Sequence, residues 1–290
     1  MATVASRAGA PRARGRALST VSSRTSGRVL TTALVLVLGV FILGPLLWLG
    51  VRAFATGWTY PSLGPDGWTM HWWQAVFDDP NLVSSAVLSF KLAFVTMAVS
   101  ALVCLPAAYA FARFDFPGRR FFLIGLFATN AFPKMGLFVA LASLFYTLGL
   151  MSTFIGVVII HLMGTVVFMT WIPAAAFAAV PRAYEEAARD AGAGRFTVLR
   201  TVTLPLALPG ILVALIMSFL ASFDEAQGTY LVGSPDYVTM PTQMYSLVLN
   251  YPPQVAAVFS ILLSIPSALL LLLVRKHVMG GQLAEGFQIR

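Results

Sequence analysis

The sequence predicts an all-α membrane protein: six transmembrane helices, with a short cytoplasmic helix between the fourth and fifth. Three observations carry that prediction. Hydrophobic residues make up 58% of the 290-residue chain and charged residues only 10%, whereas a soluble domain carries roughly 25% charged residues. Mean hydropathy is +0.83, which leaves more apolar side chain than a soluble core of this length hides. The apolar residues also fall in runs of bilayer length. A crossing helix needs about 20 predominantly apolar residues, and 29–51, 82–112, 120–146, 152–180, 206–232 and 255–274 each meet that need.

Residues 1–28 hold Arg7, Arg12, Arg14, Arg16, Arg24 and Arg28 and no acid. Rich in Arg, Ser, Ala and Thr and lacking a hydrophobic period, they read as a disordered basic tail. An organelle transit peptide shares this composition and stays open as an alternative. A signal peptide would carry an apolar core of only about 7–15 residues before its cleavage site. The run 29–51 is longer, so it is the first span. The outer loop 54–81 carries Trp58, Trp68, Trp72 and Trp73, which suit a membrane interface; docking of an outside partner is the rival reading.

Pro133, Pro173, Pro209 and Pro266 fall within or near span ends, where they read as kinks tolerated because neighbours re-satisfy the freed backbone. Basic residues set the orientation. Arg113, Arg119 and Arg120 lie between spans two and three. Arg182, Arg189, Arg195 and Arg200 lie between spans four and five, and Arg275, Lys276 and Arg290 follow the last span. Asp66, Asp78, Asp79 and Asp236 lie on the other side, with Arg52 at a helix end. The positive-inside rule then puts both termini in the cytoplasm. The net charge of +8 is thereby topological, and no nucleic-acid partner is expected.

Between the fourth and fifth spans the text changes to "AYEEAARDAGAGRFTVLRTVTLPLALPG" (183–210). Pro181 suits a helix start, where its missing N–H costs nothing. Glu185 and Arg189 pair at i,i+4, while Glu186 and Asp190 oppose each other at that spacing. Gly192 stands where a left-handed residue ends a helix. The spacing predicts a helix of about ten residues, roughly 15 Å long. Ala187, Ala188 and Ala191 give it a low-relief surface that another backbone can approach. Phe196, Leu199 and Val202 then recur at helical spacing, and "LPLALPG" is expected to turn the chain back into the membrane. A solvated loop with incidental charge is the alternative that these residues leave open.

This segment resembles the EAA loop of ABC-importer permeases: Glu-Ala-Ala, three residues, Gly, nine residues, an aliphatic residue, any residue, Leu-Pro. Those positions are Glu186, Ala187, Ala188, Gly192, Val202, Leu204 and Pro205, with Val in place of the commoner Ile. "AAYAFARFDFPGRR" (107–120) and "VTMPTQMYSL" (238–247) are similar to segments of the maltose-type carbohydrate permeases. "SFDEAQGTYLVG" (222–233) departs from them: Phe223, Asp224 and Ala226 replace Trp, Asn and Phe of the family's Ser-Trp-Asn-Glu-Phe. That departure bears on the substrate.

The resemblance implies the permease subunit of an ATP-driven, binding-protein-dependent importer in a bacterial inner membrane. Its partners would be a second permease subunit (a heterodimer), two ATPase subunits and an extracytoplasmic solute-binding protein. The loop 181–205 would hold a coupling helix docking on the ATPase through Glu185, Glu186, Ala187, Ala188 and Gly192, with Leu204 and Pro205 setting re-entry. The chain then comprises tail 1–28, permease domain 29–275 and tail 276–290. It has no nucleotide site, since no G-x-x-x-x-G-K-[ST] occurs in it. No cofactor is expected on this chain; ATP and Mg²⁺ belong to the ATPase. No enzyme activity is expected either: no nucleophile–base pair stands out, and His71, His161 and His277 lie in three different regions. His161 reads as a satisfied bundle histidine, and the lone Cys104 as a buried thiol.

Polar groups at membrane depth are costly unless they face a cavity or a partner. Asn130, Lys134, Phe223, Asp224, Glu225 and Tyr230 are therefore the expected substrate pathway. An internal salt bridge joining Lys91 or Lys134 to Asp224 or Glu225 competes with that reading. A carbohydrate is the expected substrate, while the two acids also suit a cation such as a polyamine. An ion-coupled secondary transporter explains the spans and the acids, but leaves the EAA loop unexplained.

Overall fold

The computed structural model describes residues 17–59, 61–128 and 132–279, with side chains over 30–59, 61–128 and 132–273. Among the described residues the secondary structure is helical, apart from one isolated bridge between Ala55 and Trp68. The helices are α1 (Ala17–Phe54), α2 (His71–Asp78), α3 (Pro80–Arg113), α4 (Arg119–Ala128), α5 (Lys134–Leu148), α6 (Phe154–Ala179), α7 (Arg182–Asp190), α8 (Arg195–Val198), α9 (Leu204–Phe223), α10 (Gln227–Gly233), α11 (Met240–Asn250) and α12 (Pro253–Met279). A π turn over Leu199–Thr203 joins α8 to α9. Among the described residues, five stretches are long and apolar enough to cross a membrane: Leu30–Phe54, Pro80–Arg113, Phe154–Ala179, Arg195–Phe223 and Pro253–Leu273.

Four boundaries differ from expectation. The first helix starts at Ala17 rather than after a tail ending at residue 28, and the tail before residue 17 lies outside the described residues. The last helix runs on to Met279, so of the expected tail 276–290 only residues 280–290 lie outside them. The third span is broken into α4 (10 residues) and α5 (15 residues), each shorter than a crossing helix. The fifth ends at Phe223, and after a break at 224–226 the chain forms the separate α10.

The chain divides into residues 1–51 and 52–290. The first unit is most of α1, whose Leu34, Val37, Phe41 and Leu47 are all exposed. An all-round apolar helix of this kind is a membrane element.

In the second unit α3, α6 and α9 form the core. Ser85, Ser89, Thr96, Ser100, Cys104, Ala108 and Ala112 are buried on α3. Their spacing of close to four residues makes one face of the helix small, which lets neighbouring backbones approach where no large side chain intervenes. Successive layers show α6 parallel to α3 and α9 antiparallel. Leu92 packs on Val157 and Val158, Cys104 on Met169 and Ala214, and Ala108 on Phe177 and Ala207. Phe90 and Phe94 meet Phe223 and Phe219 at the far end of α9.

Short helices cover this core. α10 presses onto α6, where a Cβ at Gly228 would collide with Ile160. The backbone N–H of Met240 on α11 donates to buried Ser89 Oγ at 2.7 Å. Asp79 caps α3 with one carboxylate oxygen, and its other oxygen accepts from Tyr251 before α12 at 3.0 Å. That bond pushes the Tyr251 phenol above its ordinary pKa. The tryptophan loop is held by its own backbone bonds, such as Thr56 to Gly67 and Thr69 to Phe54. Trp68 is exposed, whereas Trp72 is half-buried and donates to Ala55.

Candidate functional site: a coupling element and a polar break

The charged stretch is a helix. α7 spans nine residues and stops at Gly192, whose φ is +88°. The Ala193 N–H donates to Ala188 O and the Gly192 N–H to Arg189 O, the paired bonds of a Schellman motif, in which a left-handed residue follows the helix. "LPLALPG" does not turn the chain. The break falls at 191–194, and Arg195–Phe223 is one helical rod. In the π turn the Leu204 N–H reaches back five residues to Leu199 O. Pro205 follows, with no N–H of its own and a ring that clashes with a carbonyl four residues back. A widened turn just ahead of it relieves that clash.

The two neighbouring glutamates divide their roles. Glu186 is exposed, as are Ala187 and Gly192, while Ala188 is half-buried. Glu185 points inward and is 3% exposed. Its Oε1 accepts from Arg113 Nη2 at 2.8 Å and from Thr203 Oγ1 at 2.7 Å. Arg189 stands 3.7 Å from its Oε2. Arg113 Nη2 also donates to Val180 O at 3.0 Å. Glu185, expected from the sequence among the docking residues, is thus buried within the chain and anchors the helix from beneath. Leu204 and Pro205 are exposed at the start of α9.

The second region surrounds the breaks in spans three and five. Lys134 opens α5 and is exposed; Asn130 lies outside the described residues. Asp224 and Tyr230 are exposed and Glu225 is half-buried. The Glu225 carboxylate accepts from the Gly228 N–H at 2.8 Å, capping α10, and feels the Lys134 cation. Ser267 of α12 donates to Asp224 at 3.5 Å. The internal salt bridge is not formed: no pair within 4.0 Å joins Lys91 or Lys134 to either acid, and Lys91 lies instead over the Phe154 ring. Phe223, expected on the pathway, is buried within the chain. It is 1% exposed, stacked on Phe219 and packed on Phe90, because the last turn of α9 rotates it into the core.

His161 is satisfied on both ring nitrogens, by Ser222 Oγ and Thr229 Oγ1 at 2.7 Å each. It ties α6 to both sides of the 224–226 break. From the start of α6 it lies about 10 Å along the helix axis, inside the apolar stretch Phe154–Ala179. Sequence reasoning did not find Thr203, nor Tyr245, which meets Tyr230 edge-on with ring centres 5.5 Å apart. Arg113 was visible only as one more basic residue of its loop.

Comparison with known proteins agrees with this geometry. Residues 103–279 match the family described as "Binding-protein-dependent transport system inner membrane component". The maltodextrin transport system permease protein MdxG of Bacillus subtilis (strain 168) is 27% identical, covering 91% of this chain and 98% of that one. The spermidine/putrescine transport system permease protein PotC of Escherichia coli (strain K12) is also 27% identical, over 82% and 89%. The maltose/maltodextrin permease protein MalG of Salmonella typhimurium (strain LT2) is 32% identical over 68% and 70%. Among solved structures, a bacterial ABC transporter involved in import of the acidic polysaccharide alginate shares the fold. Its TM-score is 0.69, at 20% identity over 88% of this chain and 97% of that one. With its EAA loop folded as a short helix at the end of an apolar bundle, the chain belongs to the binding-protein-dependent transport system inner membrane components, as a permease subunit of an ABC importer.

Proposed function

We propose that this chain is one half of the membrane pore of a carbohydrate importer, working with a second, different permease subunit. Two ATPase subunits bind at its α7 end, and they bind ATP and Mg²⁺ and hydrolyse the nucleotide. An extracytoplasmic solute-binding protein delivers substrate to the opposite end. The chain carries no cofactor and performs no catalysis of its own. It sits in a bacterial inner membrane with both termini cytoplasmic. The observation that carries this reading is α7: a preformed, capped helix that turns Glu186 and Ala187 outward while Glu185 holds it from within. The maltodextrin relatives support carbohydrate as the cargo.

A polyamine is the second reading, favoured by exposed Asp224 beside Glu225 and by the spermidine/putrescine relatives. The test is to tag the chain, purify it gently from its native membrane and identify what accompanies it by mass spectrometry. An ATPase, a second permease and a binding protein are expected, and the ligand of that binding protein names the cargo. Recovery of the chain alone, active in liposomes without ATP, would overturn the reading.

A further inference from the structure

Glu185 is unlike the rest of α7 because three separate segments converge on it. Arg113 belongs to the last turn of α3, Thr203 to the π turn that feeds α9, and the Val180 carbonyl, held by the same Arg113 nitrogen, closes α6. The Arg113 and Glu185 side chains are only 7% and 4% exposed. A charge-assisted bond out of water is short and directional, and breaking it strands a buried charge. Α surface ion pair would allow α7 to rock freely, whereas this arrangement fixes it to the ends of three core helices.

We infer that Arg113, Glu185 and Thr203 form a positioning strut that makes α7 move as one body with the inner ends of α3, α6 and α9. A displacement of α7 by its partner then rotates the core helices instead of being absorbed in the 191–194 linker. The π turn belongs to the device, because the residue it adds to the turn sets the direction in which Thr203 points. This inference rests on the proposed importer role, in which α7 is the surface an ATPase moves.

The test uses the whole complex, purified through a tag on this chain, with hydrogen–deuterium exchange measured with and without a non-hydrolysable ATP analogue. The wild-type complex is expected to show nucleotide-dependent exchange at 105–113 and 195–210. Glu185→Gln and Thr203→Val are expected to keep the ATPase bound, while the difference in those two segments shrinks by about fivefold or more, the lower end of ordinary coupling strengths. Thr203→Ser, which keeps the hydroxyl, is expected to behave as wild type. Should Glu185→Gln fail to fold, the nearly isosteric Thr203→Val decides alone. Undiminished differences in Thr203→Val overturn the strut, as does loss of the ATPase from a folded Glu185→Gln, which would make Glu185 a docking contact. If no ATPase accompanies even the wild-type chain, the importer reading fails and takes the strut with it.

Discussion

At φ +88° Gly192 holds a backbone that costs an L-residue roughly 1–2 kcal/mol, yet nothing lies within 4 Å of where its Cβ would stand. A substitution there strains the cap without colliding with the fold. Asp is among the side chains that enter the left-handed region most readily, so Gly192→Asp is expected to fold, with the melting midpoint down by only about 2–4 °C per kcal/mol of strain. It nevertheless adds a negative charge beside exposed Glu186 and Asp190, on the face proposed to dock the ATPase. Uptake by the complex is therefore expected to fall to background; normal uptake would sink the docking assignment. His161 behaves in the opposite way. His161→Leu strands the buried Ser222 hydroxyl, at about 1–3 kcal/mol, and leaves Thr229 Oγ1 only its 3.3 Å bond to the Glu225 carbonyl. The expected readout is a lower melting midpoint of the purified complex, partly restored in His161→Gln, which keeps a donor and an acceptor. An unchanged midpoint in the leucine variant would show that the network is not holding the 224–226 break.

At the scale of the element, the joint between α8 and α9 carries the most information. The π turn exists because Pro205 cannot accept an ordinary α turn ahead of it without a clash. Pro205→Ala removes both the ring and the missing donor, which frees the turn to revert to 3.6 residues per turn. Losing one residue from the turn rotates what precedes it by about 100°, so Thr203 swings away from Glu185. The expectation is a complex that still binds its ATPase but transports less substrate per ATP hydrolysed. An unchanged ratio would mean that the turn is incidental. The contrast with α7 shows what one sequence makes legible. α7 was readable because its start, its length and its left-handed stop are all local, and so were the five long apolar helices. The breaks at 132–133 and 224–226 were not, since each is short and flanked by apolar text that satisfies any hydropathy window. Adjacent Glu185 and Glu186 look alike in sequence but stand about 100° apart on the helix, which buries one and exposes the other. Arg113 lies 72 positions from Glu185, and no local pattern reports a partner at that separation. Phe223 was misread for the same reason: being next to two acids says nothing about which way the last helical turn faces.

For the molecule as a whole, the exposed charges at depth matter most. Lys134 and Asp224 stand open on the bundle with Glu225 half-covered between α9 and α10. Facing lipid, a charge at the centre of a helix costs about 2.5–3.5 kcal/mol on insertion scales, so this side of the bundle must meet water or another protein chain. The second permease subunit proposed above, enclosing an aqueous path, would supply both. Glu225 then discriminates between the two cargo classes. Glu225→Gln leaves an amide oxygen able to accept from the Gly228 N–H, so the cap of α10 survives while the charge is gone. A neutral oligosaccharide loses little by this change, and its KM is expected to move by less than about threefold, within the range of one neutral hydrogen bond. A polyamine loses an ion pair in a confined path; about tenfold or more in KM is expected, as for a charge-assisted contact. Salt separates the classes a second way, because added salt screens charges more than about 8–10 Å apart. Wild-type uptake of maltodextrin should be flat between low and physiological ionic strength, while spermidine uptake should fall. Flat uptake together with a silent Glu225→Gln supports the carbohydrate reading and leaves Glu225 as a helix cap. Salt-sensitive uptake with a tenfold KM defect assigns the 224–225 acids to a cationic cargo instead.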